Sequence, residues 1–304
     1  MSKISAVVST FNEEKNIERC LKSLSFADEI IIVDNSSLDD TVGIAKRYTK
    51  KLYSQKNNPS KIDIQKNFGF EKASNEWILS VDADEEVSKQ LAEEIKNIIS
   101  NGEKNTNGYF IPRKNIIFGK IIEHTGWFPD PQLRLFRKGK AKYGKVHVHE
   151  QIELEGEPGY LKNYLIHHSY ETVIQLVKKH VEIYAPNEAE NYLNKGYKFS
   201  YFDAIRFPLS EFMGRFFVRK GYKDGIHGLM LSIFMAFYHF VIFALLWEKQ
   251  NFKEYDGEEF LANAEKEFKK AGKEMVFWIS KEKLEGIKNP IRKGLQKIVN
   301  EIRG

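Results

Sequence analysis

Along the first hundred residues the hydrophobic positions switch between continuous runs and helical spacing. Ile4–Ser9 is a short, mostly apolar run suited to a strand covered on both faces. Ile17, Cys20, Leu21 and Leu24 then recur at i, i+3, i+4 and i+7 with charges between them, which predicts a helix. The run Glu29–Val33 (EIIIV) predicts a second strand that stops at Asp34. Asn35–Asp40 has the polar chemistry of a turn, and a helix is expected from about Thr41 to Lys50. Trp77–Val81 predicts a third strand ending at Asp82, followed by a helix with Leu91, Ile95, Ile98 and Ile99 on one face and Ser88 as its cap. Strands alternating with helices imply an α/β, Rossmann-like fold around a mostly parallel central sheet with right-handed crossovers.

The pattern then changes twice. Residues 105–170 are rich in Gly, Pro, aromatics and His, with short strands expected at Gly108–Pro112 and Gln132–Arg137. From Glu171 the chain reads as helical, with Val173, Leu176, Val177, His180 and Tyr184 on one face. Gly225–Trp247 is the most apolar stretch and has the length of a membrane span. His227 and His239 within it leave three readings open: a spanning helix, an in-plane interfacial helix, or a helix buried in an oligomer. Beyond Asn251 a charged helical tail carries the apolar stripe Ile291, Leu295, Ile298, Val299 and Ile302. The expected organisation is a catalytic domain over 1–170 (halves 1–100 and 101–170), a helical membrane-associating region over 171–250, and an amphipathic tail over 251–304.

Composition narrows the setting. With 304 residues, 42% hydrophobic and 29% charged, the chain is an ordinary folded protein with room for one catalytic domain and a substantial extension. Its net charge of +5 gathers in Lys198, Arg206, Arg215, Arg219, Lys220 and Lys223, among aromatics and just before the apolar stretch. That placement suits lipid or glycan phosphates; with no recognised nucleic-acid motif, it argues against a nucleic-acid partner. The lone cysteine, Cys20, allows no intrachain disulfide, which fits a reducing compartment. The opening MSKISAVVST lacks the pattern of a secretory signal, so the protein is expected in the cytoplasm.

The candidate chemistry sits just past predicted strand ends, where open α/β sheets place their ligands. Asp34 follows EIIIV, and Asp82-Ala83-Asp84 follows WILSV. Residues i and i+2 share a face, so Asp82 and Asp84 can aim at one hard cation, Mg²⁺ or Mn²⁺, that also binds phosphate oxygens. Such a cation would act as a Lewis acid on a diphosphate leaving group.

VVSTFNEEKNIERCLKSL, ADEIIIVDNSSLDDT and WILSVDADEE, in that order, resemble the family-2 glycosyltransferases of the GT-A fold. The resemblance is closest to the lipopolysaccharide inner-core branch of the heptose-linked glucosyltransferase type. It continues through GWFPDPQLRLFRKGKA, VHVHEQI, LIHHSY and KGYKDGIHGL, and so covers roughly residues 1–250. It implies that Thr10, Asn12 and Glu13 border the nucleotide, that Asp34 bonds the base, and that Asp82 contacts ribose or metal. Asp84 would be the main metal ligand, with His167 or His168 completing the shell. Lys66 would touch the donor, and Arg134 would either stabilise diphosphate charge or hold a neighbouring carboxylate. The family loop Asp-Ser-Gly-Ser-x-Asp-x-Thr is matched by Asp34, Ser37, Asp39 and Thr41, whereas Asn35 and Ser36 depart from it, Ser36 standing in for a glycine. Glu150, aligned with the family's His-Glu motif, is the expected general base, with Asp130 as runner-up and His149 as an orienting neighbour.

The function these residues imply is inverting transfer of a hexose from a nucleotide-sugar donor, UDP-glucose for preference. The acceptor would be a lipopolysaccharide-core or lipid-linked glycan at the cytoplasmic side of the inner membrane. Transfer to another envelope glycan, capsular or polyprenyl-linked, is a second enzymatic reading. From a different class comes a non-catalytic module that binds nucleotide or membrane, against which the intact Asp-Ala-Asp and candidate base both speak. A nucleotidyltransferase would carry a glycine-rich phosphate loop where this chain has STFNEE. A homo-oligomer is expected to be possible, given the long helical extension.

Overall fold

A computed structural model describes residues 2–58, 62–101, 106–144 and 152–286. The chain forms two compact units, one of residues 1–123 with 127–175 and the other of residues 124–126 with 176–304.

The first unit opens with β1 (Ile4–Thr10), α1 (Ile17–Ser23), β2 (Glu29–Asp34), α2 (Thr41–Ala45), β3 (Leu52–Ser54), α3 (Ile62–Lys72) and β4 (Trp77–Asp82). It continues with β5 (Glu85–Val87), α4 (Lys89–Asn101), β6 (Gly108–Ile111), β7 (Arg113–Ile117), β8 (Lys120–Ile121), β9 (Gln132–Arg137), β10 (Ala141–Tyr143), β11 (Ile152–Leu154), β12 (Gly159–Tyr160) and β13 (Leu165–Tyr170). Among the described residues the central sheet has seven strands in the order β12-β6-β9-β4-β1-β2-β3. Only β9 runs against the others, so the expected mostly parallel α/β sheet is what forms. The continuous apolar runs follow from this, because both faces are covered. Ile4, Ala6 and Val8 of β1 point into a core with Ile17, Leu21, Leu91 and Ile95, while Val7 points into the opposite core with Ile31, Val33 and Phe70.

A second sheet, β5-β13-β7-β8, stands beside the carboxyl end of β4. Pro112, which has no N–H to donate, separates β6 of the large sheet from β7 of the small one, so one extended stretch serves both. The helix expected to reach Lys50 ends earlier, at Ala45, where tighter turns take over and Thr49 Oγ1 donates to the Ile30 carbonyl at 2.8 Å.

Helix α3 was not legible in the periodicity, because only Ile64 and Phe68 keep helical spacing and Phe70 falls on another face. What seats it is Gly69, where an added Cβ would lie 2.5 Å from Val7 Cγ1 and 2.9 Å from Val33 Cγ2. The missing side chain lets α3 lie close on the sheet and brings Lys66, one turn earlier, over the end of β4. At the other end of β2, Glu29 is buried and accepts hydrogen bonds from Ser5 Oγ, Lys51 Nζ, Ser74 Oγ and the Ser74 N–H. Burial pushes its carboxyl up, but Lys51 and the hydroxyls outweigh that and hold it at about 2.

The second unit is helical: α5 (Val173–Lys178), whose first three residues belong to the first unit, leads through a π-turn (Lys179–Tyr184) to α6 (Ala185–Asn194), then α7 (Asp203–Met213), α8 (Ile226–Lys249) and α9 (Phe260–Gly286). Ala185 and Ala189 of α6 pack on Ile242 and Leu246 of α8, with Tyr192, Phe207 and Tyr238 around them. Val173 is exposed while Leu176 and His180 are buried, so the face expected at 173–184 starts one turn later. The apolar stretch 225–247 is a single helix, and the stripe expected at 291–302 lies outside the described residues.

Two stability outcomes follow from these positions. Gly69→Ala gains about 1 kcal/mol of helix propensity but loses about 1–3 kcal/mol to overpacking on Val7 and Val33, so urea melts should show a net loss. For Glu29 the folded pKa is depressed, so its stabilisation is present above the unfolded value and vanishes as pH falls. Relative to Glu29→Gln, the wild type should therefore lose about 3 kcal/mol of unfolding free energy as pH drops from about 4.5 to about 2.

Candidate active site

The strand order places a topological switch point between β1 and β4: the chain leaves β1 towards β2 on one side and returns to β4 on the other. In register, Thr10 stands beside Asp34 and Ser9 beside Asp82, so these groups share the carboxyl edge of three adjacent strands. Asp34 is buried and accepts the Ser37 N–H on both oxygens, at 3.3 and 3.2 Å. Thr10 Oγ1 is buried with no hydrogen-bond partner among the described residues.

The loops after β1 and β2 are stitched together. The Asn12 N–H donates to Ser37 Oγ (2.9 Å), the Leu38 N–H to Asn12 Oδ1 (2.8 Å), and the Glu13 N–H to Thr41 Oγ1 (2.7 Å). Glu13 Oε2 also accepts from Asn16 Nδ2 at 2.7 Å. Ser36, where the resembled family has glycine, sits at φ +64°, and its hydroxyl donates to the Gln55 carbonyl at 2.9 Å. Its left-handed backbone explains why glycine suits this position.

From Asp82 a row of alternating charges runs across both sheets. Lys66 Nζ lies 2.6 Å from Asp82 Oδ1, and Arg134 Nη2 lies 2.5 Å from Asp82 Oδ2 and 2.8 Å from Glu85 Oε1. Arg113 reaches Glu85 Oε1 at 3.2 Å and Asp130 Oδ2 at 2.6 Å. Glu85 is 1% exposed, and Lys66 and Arg134 are also buried. Burial alone would push the Asp82 carboxyl up, but Arg134 and Lys66 hold it well below the usual carboxylate range. Burial would likewise favour neutral Lys66 and Arg134, and Asp82 outweighs it and raises both. Arg113 is raised against its own burial by Glu85 and Asp130.

A second line of contacts returns from Asp130 to Asp84. Asn115 is fully buried; its Nδ2 donates to the Trp127 carbonyl and to Asp130 Oδ2 (3.3 Å), so its Oδ1 is the acceptor facing His167 Nδ1 at 2.6 Å. His167 Nδ1 therefore carries a proton, and Nε2 lies 3.4 Å from Asp84 Oδ2. A carboxylate oxygen and an imidazole nitrogen are both ligand types for a divalent ion, so Asp84 and His167 are the residues here that suit one. Among the described residues no group of three His, Cys, Asp or Glu side chains gathers.

Of the residues singled out in the sequence, Thr10, Asp34, Asp82, Lys66 and Arg134 converge on the strand ends, and Asn12 and Glu13 lie in the loop beside them. Both oxygens of Asp82 are taken by cations, so as a metal ligand it would first have to give up an ion pair. Arg134 holds carboxylates, the second of its two anticipated roles. His168 faces away from Asp84 towards Glu86 (3.8 Å), because neighbours on a strand point to opposite faces. Asp130 is held by Arg113 and by Gln132 Nε2 at 3.1 Å. His149 and Glu150 lie outside the described residues. Sequence reading missed Glu85, Arg113 and Asn115. The available signals were a third acid three residues after Asp82, and an Arg-x-Asn alternation that puts both side chains on one face of a strand.

The family described as glycosyl transferase family 2 matches residues 5–152. An uncharacterized glycosyltransferase of Rickettsia typhi is 31% identical over 262 residues, covering 82% of this chain and 88% of that protein. The lipopolysaccharide core biosynthesis glycosyltransferase LpsC of Rhizobium meliloti is 26% identical over 259 residues, covering 82% and 94%. Among solved structures, S. aureus TarS aligns at 17% identity and a TM-score of 0.42, covering 79% of this chain and 55% of that one. With its parallel sheet, its acidic strand ends and a relative matched across most of both chains, the protein belongs to glycosyl transferase family 2.

Proposed function

We propose that this glycosyltransferase moves a hexose, from UDP-glucose for preference, onto a lipopolysaccharide-core or other lipid-linked glycan with inversion at the anomeric carbon. The observation that carries the reading is the placement of Asp34 and Thr10 beside a row of alternating charges at the switch point of the sheet, with Asp84 and His167 facing each other next to it. The name of the Rhizobium relative supports the choice of acceptor.

In this reading residues 1–100 hold the donor and 101–170 receive the acceptor. Thr10, Asn12, Glu13 and Asp34 border the nucleotide. Lys66 borders the diphosphate, and Arg134 holds the Asp82 and Glu85 carboxylates in place beside it. Asp84 and His167 would hold a divalent cation, Mg²⁺ or Mn²⁺, which would supply Lewis-acid charge to the diphosphate leaving group. The acceptor oxygen bonds to the anomeric carbon and its proton passes to Glu150. The bond to the diphosphate breaks, and its electron pair leaves on the diphosphate oxygen. One carboxylate suffices for this single displacement. Residues 171–250 bring the enzyme to the cytoplasmic face of the inner membrane, where such an acceptor is anchored, and 251–304 extend that helical region.

Two outcomes test the assignment. Calorimetry of UDP-glucose in Mn²⁺ and then in EDTA should show metal-dependent binding that Asp84→Ala abolishes while the melting temperature holds; unchanged affinity in the variant would remove Asp84 from the site. Glu150→Gln should bind donor normally and lose about 10²–10⁴-fold in turnover, whereas near-normal turnover would place the base elsewhere.

A further inference from the structure

Helix α8 has 24 residues and a mean hydropathy of 2.3 over its most apolar window, enough by length and composition to cross a bilayer. Its packing decides otherwise. One face is occupied within its own unit: Leu231, Met235, Ile242 and Leu246 are buried. At Gly228 an added Cβ would lie 1.7 Å from the Gly221 carbonyl oxygen, so the amino end of the helix rests directly on the preceding turn. The opposite face carries Ile226, Met230, Ile233, Phe237 and Phe240, spaced four, three, four and three apart and between 38% and 66% exposed among the described residues. This stripe is about 21 Å long. No Asp, Glu, Lys or Arg interrupts the helix between Ile226 and Trp247, while Arg219, Lys220 and Lys223 cluster just before it.

We infer that α8 lies in the plane of an anionic lipid surface, seated by this one stripe with the basic cluster on the headgroups, and does not cross the bilayer. This deepens the reading of the enzyme as one with a lipid-borne acceptor, and rests on it. A helix already packed on α7 could span only by drawing into hydrocarbon the charges of that helix, Arg206 with Glu267 and Glu211 with Arg215 among them. Lying flat, α8 buries apolar side chains alone. A second copy of the chain fits less well. The positions flanking the stripe, Leu229, Phe234, Ala236 and Val241, are apolar, where a helix pair in water carries charges. Lipid accommodates a wide apolar face with basic residues at one end, and attracts the basic cluster as well.

Cys20 is buried and is the only cysteine, so single cysteines placed on the stripe of the full chain can be labelled selectively. Ile226→Cys, Ile233→Cys and Phe240→Cys, each bearing an environment-sensitive fluorophore, would be mixed with phosphatidylcholine vesicles with and without phosphatidylglycerol. All three should shift to the blue on anionic vesicles and be quenched equally by shallow lipid quenchers, with a several-fold smaller response on neutral vesicles. Quenching of Ile233→Cys and Phe240→Cys mainly by deep quenchers and of Ile226→Cys by shallow ones would mean a spanning helix and overturn the inference. So would emission unchanged by any vesicle, or a dimer by light scattering whose labels are already blue-shifted without lipid. The double variant Ile233→Glu with Phe237→Glu should lose vesicle flotation at least tenfold and keep donor binding. Loss of donor binding in the wild type with flotation intact would strike the enzymatic reading instead.

Discussion

Lys66, Asp82, Arg134, Glu85, Arg113 and Asp130 form a row in which each charge is neighboured by its opposite, and the catalytic unit is organised around it. The members come from α3, the end of β4, β9, β5, β7 and the loop before β9, so elements far apart in sequence must all be seated before the row closes. Ions this buried are costly to desolvate, and removing one partner from such a pair typically costs about 3–5 kcal/mol because the other is left unpaired. Glu85 shows the dependence most plainly: fully buried, it serves two guanidinium groups and accepts the Asp82 N–H at 2.9 Å as well. The row ties the large sheet to the small one and fixes the loop between β4 and β5.

That loop carries Asp84, and its geometry follows from the row. Asp82 and Glu85 are anchored by cations on either side of it, and Asn115, shared with Asp130, sets the tautomer of the histidine opposite. The loop is thus held on one side by the ion pairs of Asp82 and Glu85 and on the other by the contact of Asn115 with His167.

The helical unit is built on a different constraint. Gly228 and the small residues Ala185 and Ala189 bring helices close, and that closeness commits one face of α8 to its own unit. What remains outside on α8 is an apolar stripe, too regular and too continuous to be scattered surface residues.

Much of this was legible in the sequence because local rules govern it. The runs at β1, β2 and β4 are mostly apolar because a parallel sheet is covered on both faces, and β2 and β4 stop at an acid, Asp34 and Asp82, where the strand end reaches the edge of the sheet. Thr10, Asp34, Asp82, Lys66 and Arg134 could be named from such positions together with the family resemblance. Helix α3 could not, since its seating depends on the close approach of Gly69 to Val7 and Val33 and not on an apolar period. Nor could Glu85, Arg113 and Asn115, whose partners lie tens of residues away. The choice of His167 over His168 opposite Asp84 turns on which face of β13 is presented, and only the pairing of strands sets that. The same division holds for α8: its length and apolarity are properties of the sequence, but which of its faces is left for a partner was decided by packing, because burial is a property of neighbours brought together by the fold.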